Sequence, residues 1–240
     1  MIRFFADRSV ISNGRIRLSA EDAAHIRSLR LRPSEQFIVC DGEGADYLCR
    51  LDCADGDSYA EIVGTQPSRG EPTVECSVYI AFAKGDRLDY AVQKSVELGA
   101  CEIILYPSER CVSLPADITK KAARLKRISL ETAKQSGRGR VPEVIALDSF
   151  EKAVRRAARA EAPLFFYECE EKLHLKEALN NTVFKTFSII TGPEGGFEPY
   201  EAEIAQSAGM ITVTLGPRIL RCETAPAAAL SVIMFHSGNF

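Results

Sequence analysis

Histidine is scarce in this chain, with three in 240 residues at positions 25, 174 and 236, and none lies near the tightest cysteine group, Cys40, Cys49 and Cys53. A zinc site needs such neighbours, so no metal is expected. A nucleophilic-cysteine enzyme would lack its histidine partner for the same reason. There is no Cys-x-x-Cys pair, and no cationic cleavable leader opens the sequence. Both absences fit a reduced, cytoplasmic chain whose eight cysteines serve as small apolar core residues. No apolar run approaches the roughly 20 residues of a membrane helix, so no membrane partner is expected. What is present, 46% hydrophobic and 26% charged residues, describes a folded globular protein. A chain of this length buries roughly 70% of its unfolded surface and needs no disulfide or metal staple.

The formal net charge of −3 hides a segregation of sign along the chain. Residues 1 to 32 hold seven arginines against Asp7, Glu21 and Asp22, net +4, and residues 33 to 70 reverse to net −6. Residues 119 to 140 hold eight cations against Glu131 alone, net +7. Two separate basic zones suggest a polyanionic partner, whereas a single one would more simply be a solvated helix face.

The first seventy residues read as short strands with turn chemistry and one brief helix around Glu21 to Leu29. Gln36 to Cys40 and Tyr47 to Leu51 flank Asp41-Gly42-Glu43-Gly44, which has hairpin chemistry, and together they predict a small β-barrel. Thr65 to Pro72, with two prolines and a glycine, reads as an interdomain linker. Beyond it strands and helices alternate. Strands are predicted at Val74 to Phe82, Ile103 to Tyr106, Leu164 to Tyr167, Phe187 to Thr191 and Ile211 to Leu215, with helices at Leu88 to Leu98, 117 to 136, 150 to 160, Pro199 to Ala208 and Ala225 to Phe235. This is the pattern of an open α/β sheet, in which ligands bind outside the carboxyl ends of the strands.

Two strand-end loops stand out. Gly192-Pro193-Glu194-Gly195-Gly196-Phe197 lets backbone approach a ligand closely. It carries neither Gly-Lys-Ser/Thr nor Gly-x-Gly-x-x-Gly, and Glu194 would repel a phosphate, so a cationic or hydroxyl-rich ligand suits it better. A tight connection without a ligand is the plainer alternative. Leu215 to Arg221 places two arginines around the apolar pair Ile219 and Leu220, which read either as core plugs or as walls around a flat ring. Thr224 reads as the N-cap of the last helix, with Pro226 in its first turn.

The segments Lys84-Gly85-Asp86-Arg87 with Asp89, Gln93-Lys94, Glu97-Leu98-Gly99, Ser108-Glu109-Arg110, Gln135-Ser136 with Arg138, Gly192 to Phe197 and Leu215 to Ala225 then fall into one pattern. Together with the opening Arg3-Phe4-Phe5 and His25 to Arg30, they resemble the RsmE-type small-subunit ribosomal RNA uridine-N3 methyltransferases, members of the knotted SPOUT superfamily. The resemblance spans nearly the whole chain. It implies a PUA-like β-barrel at residues 1–70 that helps hold RNA, and a SPOUT domain at residues 73–240 whose final segment threads a trefoil knot. Knots are rare exceptions to the rules of chain connection, so that expectation rests on the family alone. A homodimer, S-adenosyl-L-methionine as methyl donor, and 16S ribosomal RNA or the assembled small subunit as substrate are implied likewise. Lys134 departs from the pattern, standing where many relatives carry an acid.

By that resemblance Tyr167, Thr191, Gly192, Pro193, Glu194, Gly195, Gly196, Leu215, Gly216, Arg218, Ile219, Leu220 and Ala225 hold the cofactor. Uracil N3 is protonated at neutral pH, so a carboxylate, Glu131 or Glu223, is expected to handle the proton. Arg138 or Arg221 would stabilise the charge, since arginine is a poor base and a good anion partner. Helical spacing places Lys120, Arg124, Arg127, Glu131, Lys134 and Arg138 on one stripe, opposite Ile118, Ala122, Leu125, Ser129 and Ala133. Glu131 then either orients Arg138 or forms an i, i+4 pair with Arg127. Arg8, Arg17, Arg27, Arg30, Arg32, Arg110, Lys120, Arg124 and Arg127 are the expected RNA contacts. Two other readings stay open: methylation of another RNA atom such as a ribose 2′-hydroxyl, and a non-catalytic RNA-binding factor of ribosome assembly.

Overall fold

A computed structural model describes residues 1–32, 35–54, 57–179 and 183–240, with residues 53, 54, 57 and 58 described by backbone alone. In chain order the elements are β1 (Arg3–Phe5), β2 (Ile11–Ser12), β3 (Arg15–Arg17), α1 (Ala20–Ser28), β4 (Gln36–Cys40), β5 (Ala45–Ala54), β6 (Asp57–Pro67), β7 (Glu75–Ala81), α2 (Arg87–Glu97), β8 (Glu102–Tyr106), α3 (Ile118–Ser136), β9 (Glu143–Ala146), α4 (Phe150–Ala157), β10 (Ala162–Phe166), α5 (Leu175–Ala178), β11 (Thr186–Thr191), α6 (Pro199–Ser207), β12 (Ile211–Val213) and α7 (Thr224–His236). They fall into two compact units, Met1–Glu71 with Ala133–Val141, and Pro72–Thr132 with Pro142–Phe240.

The first unit is a mixed, curled sheet in the order β1-β4-β5-β6-β3-β2, with β1 and β4 parallel and the other pairs antiparallel. Alternation along its strands sends Phe4, Ile16, Phe37, Val39, Cys49 and Ala60 to one core, where Ile26 of α1 joins them. Ser19 starts α1 by accepting the Asp22 N–H at 3.0 Å. Thr65 to Pro67, expected in the linker, instead complete β6, and Pro67 ends the strand, where its missing N–H costs no ladder bond. Arg3 is clamped to Asp46, with NH2 donating to Oδ2 at 2.7 Å, and Ser68 Oγ donates to the same carboxylate.

The second unit is a six-stranded sheet ordered β12-β10-β11-β7-β8-β9, parallel in every pairing among the described residues. Such strands are buried on both faces and read as continuous apolar runs, as Ile103, Ile104, Leu105 and Tyr106 do. The chain steps from β7 outward to β8 and β9, then returns on the other side of β7, so the order reverses between β7 and β11. Among the described residues no helix is long and apolar enough to cross a membrane, and no group of three His, Cys, Asp or Glu side chains is placed to hold a metal.

Several expectations are corrected. The last helix begins at Thr224 itself, with Glu223 preceding it, so Thr224 is not the N-cap. Strand β9 and the single turn α5 were not anticipated, because four residues are too few to show a period. Cys40, Cys49, Cys76 and Cys222 are buried as expected, whereas Cys101 and Cys169 are exposed, and the Cys53 side chain lies outside the described residues. Leu125, Ser129 and Ala133 form the buried face of α3, but Arg138 leaves the stripe. The helix ends at Ser136, Gly137 takes φ +76°, and Arg138 is turned inward to 3% exposure.

Candidate active site

Because the sheet of the second unit is parallel, the segments leaving β10, β11 and β12 emerge at one edge, side by side. They enclose a cavity of about 590 Å³. All thirteen residues expected to hold the cofactor, from Tyr167 to Ala225, line it, together with Arg221 and Glu223. The 192–197 loop is fixed from below by Phe197, which is 1% exposed and stacks on Phe165 at 4.5 Å between ring centroids. A Cβ on Gly192 would stand 3.0 Å from the Phe197 ring, a contact tight enough that the buried ring would have to shift to accept a side chain here. Glu168 Oε1 accepts the Phe197 N–H at 2.8 Å, and Tyr106 donates its hydroxyl to the Thr191 carbonyl at 2.7 Å.

A second brace comes from the segment after β8. Buried Glu201 of α6 accepts the Ser108 hydroxyl at 2.8 Å and the Glu109 N–H at 3.2 Å. Arg110 is thereby held beside the glycine loop, its Nε donating to Glu198 Oε1 at 2.7 Å and NH1 to the Gly195 carbonyl at 3.3 Å. This residue was expected to meet RNA, yet it lines the cavity and braces its wall.

Glu194 Oε1 accepts the Lys84 N–H at 2.9 Å and Arg87 NH1 at 2.6 Å, while Oε2 is buried and has no hydrogen-bond partner among the described residues. Burial pushes this carboxyl upward, but the Lys84 N–H, its own backbone and the Arg87 guanidinium outweigh it and hold it below its ordinary value. Arg87 Nε also lies 4.0 Å from Glu223 Oε2, to which Cys222 Sγ donates at 3.3 Å. Burial, followed by Glu223 and the neighbouring acids, pushes the Cys222 thiol up to about 12, so it stays neutral. In the 215–223 segment Gly216 takes φ +108° and donates its N–H to Thr214 Oγ1 at 3.2 Å. Ile219 is 78% exposed, a cavity wall and not a core plug. Among the described residues neither Arg218 nor Arg221 has an acidic partner.

Arg87, Phe166, Glu168, Cys169, Val213, Thr214 and Cys222 also line the cavity and were not anticipated as site residues. For Arg87 a signal existed, since it follows β7, but β7's place next to β11 is invisible until the strand order is known. Of the expected catalytic residues, Arg221 and Glu223 are in the wall, whereas Glu131 is exposed on α3 and is not a lining residue. Arg138 belongs to the first unit, with Nε and NH2 donating to the two Glu71 oxygens at 2.9 and 2.8 Å. Of the expected RNA contacts, Arg17, Arg27, Arg30, Arg32, Lys120 and Arg127 are exposed. Arg8 pairs with Glu43 at 2.8 Å, and Arg124 NH1 reaches Asp89 at 3.1 Å.

Residues 70–234 match the RNA methyltransferase domain family, and residues 18–58 the RNA methyltransferase PUA domain. The chain is 34% identical over 92% of its length to a ribosomal RNA small subunit methyltransferase E from Bacillus subtilis, covering 90% of that protein, and 32% identical over 84% to one from Mesomycoplasma hyopneumoniae, covering 86% of it. Among solved structures, the Neisseria gonorrhoeae ribosomal RNA small subunit methyltransferase E bound to S-adenosyl methionine superposes with a TM-score of 0.84 at 30% identity, over 98% of this chain and 97% of that one. A methyltransferase from Legionella pneumophila in complex with the same cofactor gives 0.84 at 26% identity, over 98% and 97%. Across both units and nearly its full length, the chain belongs to the ribosomal RNA small subunit methyltransferase E family.

Proposed function

We propose that the protein transfers a methyl group from S-adenosyl-L-methionine to N3 of a uridine in 16S ribosomal RNA. The observation that carries this reading is the convergence of the 192–197 and 215–223 segments on one cavity. Its residues suit the donor. About 590 Å³ falls within the range of small-molecule sites. Glycine backbone allows close approach, Ile219 and Leu220 offer apolar walls to a ring, and Glu194 supplies negative charge with one acceptor oxygen unpartnered among the described residues. When bound, the donor supplies an already activated methyl group.

The chain's own residues then position and discharge the acceptor. Arg221, with no acidic partner among the described residues, faces the charge that spreads onto the uracil oxygens, and Glu223 takes the N3 proton. Alignment of the acceptor with the methyl group supplies much of the rate. Glu131 and Arg138 form the second candidate pair. Arg138 is engaged by Glu71, and Glu131→Gln with an unchanged single-turnover rate removes Glu131 from the chemistry.

In this reading residues 1–70 are a PUA-like barrel that holds RNA through Arg8, Arg17, Arg27, Arg30 and Arg32, and residues 73–240 are the SPOUT domain with its trefoil knot. Arg110, Lys120, Arg124 and Arg127 add contacts from the second unit. The working form is a cytoplasmic homodimer; Val232 and Phe235 of α7, 41% and 74% exposed, give an apolar helix face that a second copy would cover. The test is transfer of labelled methyl from the donor to small ribosomal subunits and to naked 16S RNA, with mass spectrometry of the product nucleoside. Label in 3-methyluridine is expected; label in a 2′-O-methyl nucleoside, or none, rejects the assignment.

A further inference from the structure

We propose that Arg87 is a positioning residue that ties the 192–197 loop to the 215–223 segment through Glu194 and Glu223, and so sets the acidic wall on which the methyl donor rests. The inference builds on the donor reading above and adds a residue from beyond the end of β7.

Its basis is geometric. Arg87 stands in the first turn of α2, beyond the carboxyl end of β7, and β7 neighbours β11 where the strand order reverses. From there NH1 meets Glu194 Oε1 at 2.6 Å while Nε lies 4.0 Å from Glu223 Oε2. Two carboxylates lining one cavity repel each other, and a cation within reach of both offsets that repulsion. The planar guanidinium hydrogen-bonds Glu194 through NH1 while its Nε edge stays within ion-pair distance of Glu223, a fixed two-sided geometry that a lysine ammonium on a flexible stem does not offer. Other groups share the two acids with Arg87. Glu194 has the Lys84 N–H at 2.9 Å, and Glu223 has the neutral Cys222 thiol at 3.3 Å. Arg87 is 40% exposed, so its contribution to global stability is small and its effect is local. With Oε1 occupied by Arg87 and Lys84, Glu194 Oε2 is left buried with no partner among the described residues, an acceptor suited to a ribose hydroxyl or an ammonium group of the donor.

Titration calorimetry of S-adenosyl-L-methionine into the full-length protein tests this, using wild type, Arg87→Ala, Arg87→Lys, Glu194→Gln and the Arg87→Ala/Glu194→Gln pair, with thermal unfolding of each. Arg87→Ala is expected to weaken binding on the order of tenfold or more without a large change in melting temperature, as loss of a charged hydrogen bond does. Arg87→Lys should recover part of the loss, and the double variant should bind no more weakly than the worse single one, because both act on one network. Affinity within twofold of wild type in a folded Arg87→Ala protein, or losses that add in the double variant, overturns the inference. Should Arg87→Ala fail to fold, Arg87→Lys carries the test, and wild-type affinity there overturns it. A wild-type protein that binds no donor defeats the proposed function as a whole; normal wild-type binding with indifferent Arg87 variants defeats this inference alone.

Discussion

Gly195 lies directly against Arg110: a Cβ on the glycine would stand 2.8 Å from Arg110 Cβ and 3.0 Å from the Arg110 carbonyl oxygen. The arginine cannot simply step back, because its segment is pinned to α6 through Glu201. Gly195→Val therefore has to displace the 192–197 loop. Overpacking of this kind costs about 1–3 kcal/mol locally, so donor affinity by calorimetry is expected to fall by about tenfold or more with the sheet intact by circular dichroism. Wild-type affinity in that variant would mean that the loop does not touch the donor.

Acid should weaken donor binding late. Glu194 is held below its ordinary value of 4.5, so it stays ionised as pH falls from neutrality to about 5. Any stability it contributes is present above that ordinary value and disappears only as pH falls through the depressed one. The expected profile of donor affinity is flat from pH 8 to about 5 with a loss below, and Glu194→Gln should remove that acid limb. A loss centred near pH 6.5 would point to another group.

In the first unit, Arg3 and Asp46 are 8% and 4% exposed and tied to each other. Burial works upward on the Asp46 carboxyl, but Arg3 and Ser68 bring it below its ordinary value. Removing one partner strands the other, so Asp46→Asn is expected to cost about 3 kcal/mol in urea unfolding. Replacing both with apolar residues of similar volume should recover much of that. An Asp46→Asn protein as stable as wild type would show that the pair is already loosened by water.

RNA binding should weaken steeply with salt, by about 0.7 to 0.9 in log affinity per log salt for each phosphate neutralised. Exposed Arg27, Arg30, Arg32, Lys120 and Arg127 are expected to reduce that slope by about one each when changed to alanine. Arg8 and Arg124 already face Glu43 and Asp89, and their variants should change it less. Filter binding from 50 to 300 mM KCl (roughly the range over which such effects are large) decides this, and a flat wild-type response removes the phosphate-contact reading.

Much of the site is legible in the sequence. Glycine spacing marked 192 to 196, and the odd apolar pair between arginines marked 215 to 221, because both patterns are local and each follows a recognisable strand. Arg138 shows the opposite case: one glycine at 137 ends the helix and turns inward a side chain that periodicity alone had placed on a solvent-facing stripe. Arg110's place in the cavity wall was not legible either, because a lone arginine in a loop carries no sign of the carboxylate it will meet, and Glu198 lies 88 residues away.

Local patterning settled the nature and approximate limits of most strands and helices, though not of β9 or α5, the change from short β-strands to an alternating α/β pattern, and the two loops able to take a ligand, since each depends on neighbours a few residues apart. Strand order was decided by packing. Which strand lies beside β11 depends on burying whole faces of helices and sheet at once, and no short stretch of chain encodes that. Only when β7 takes that place does Arg87 arrive between Glu194 and Glu223, joining acids that the chain keeps 29 positions apart into one wall.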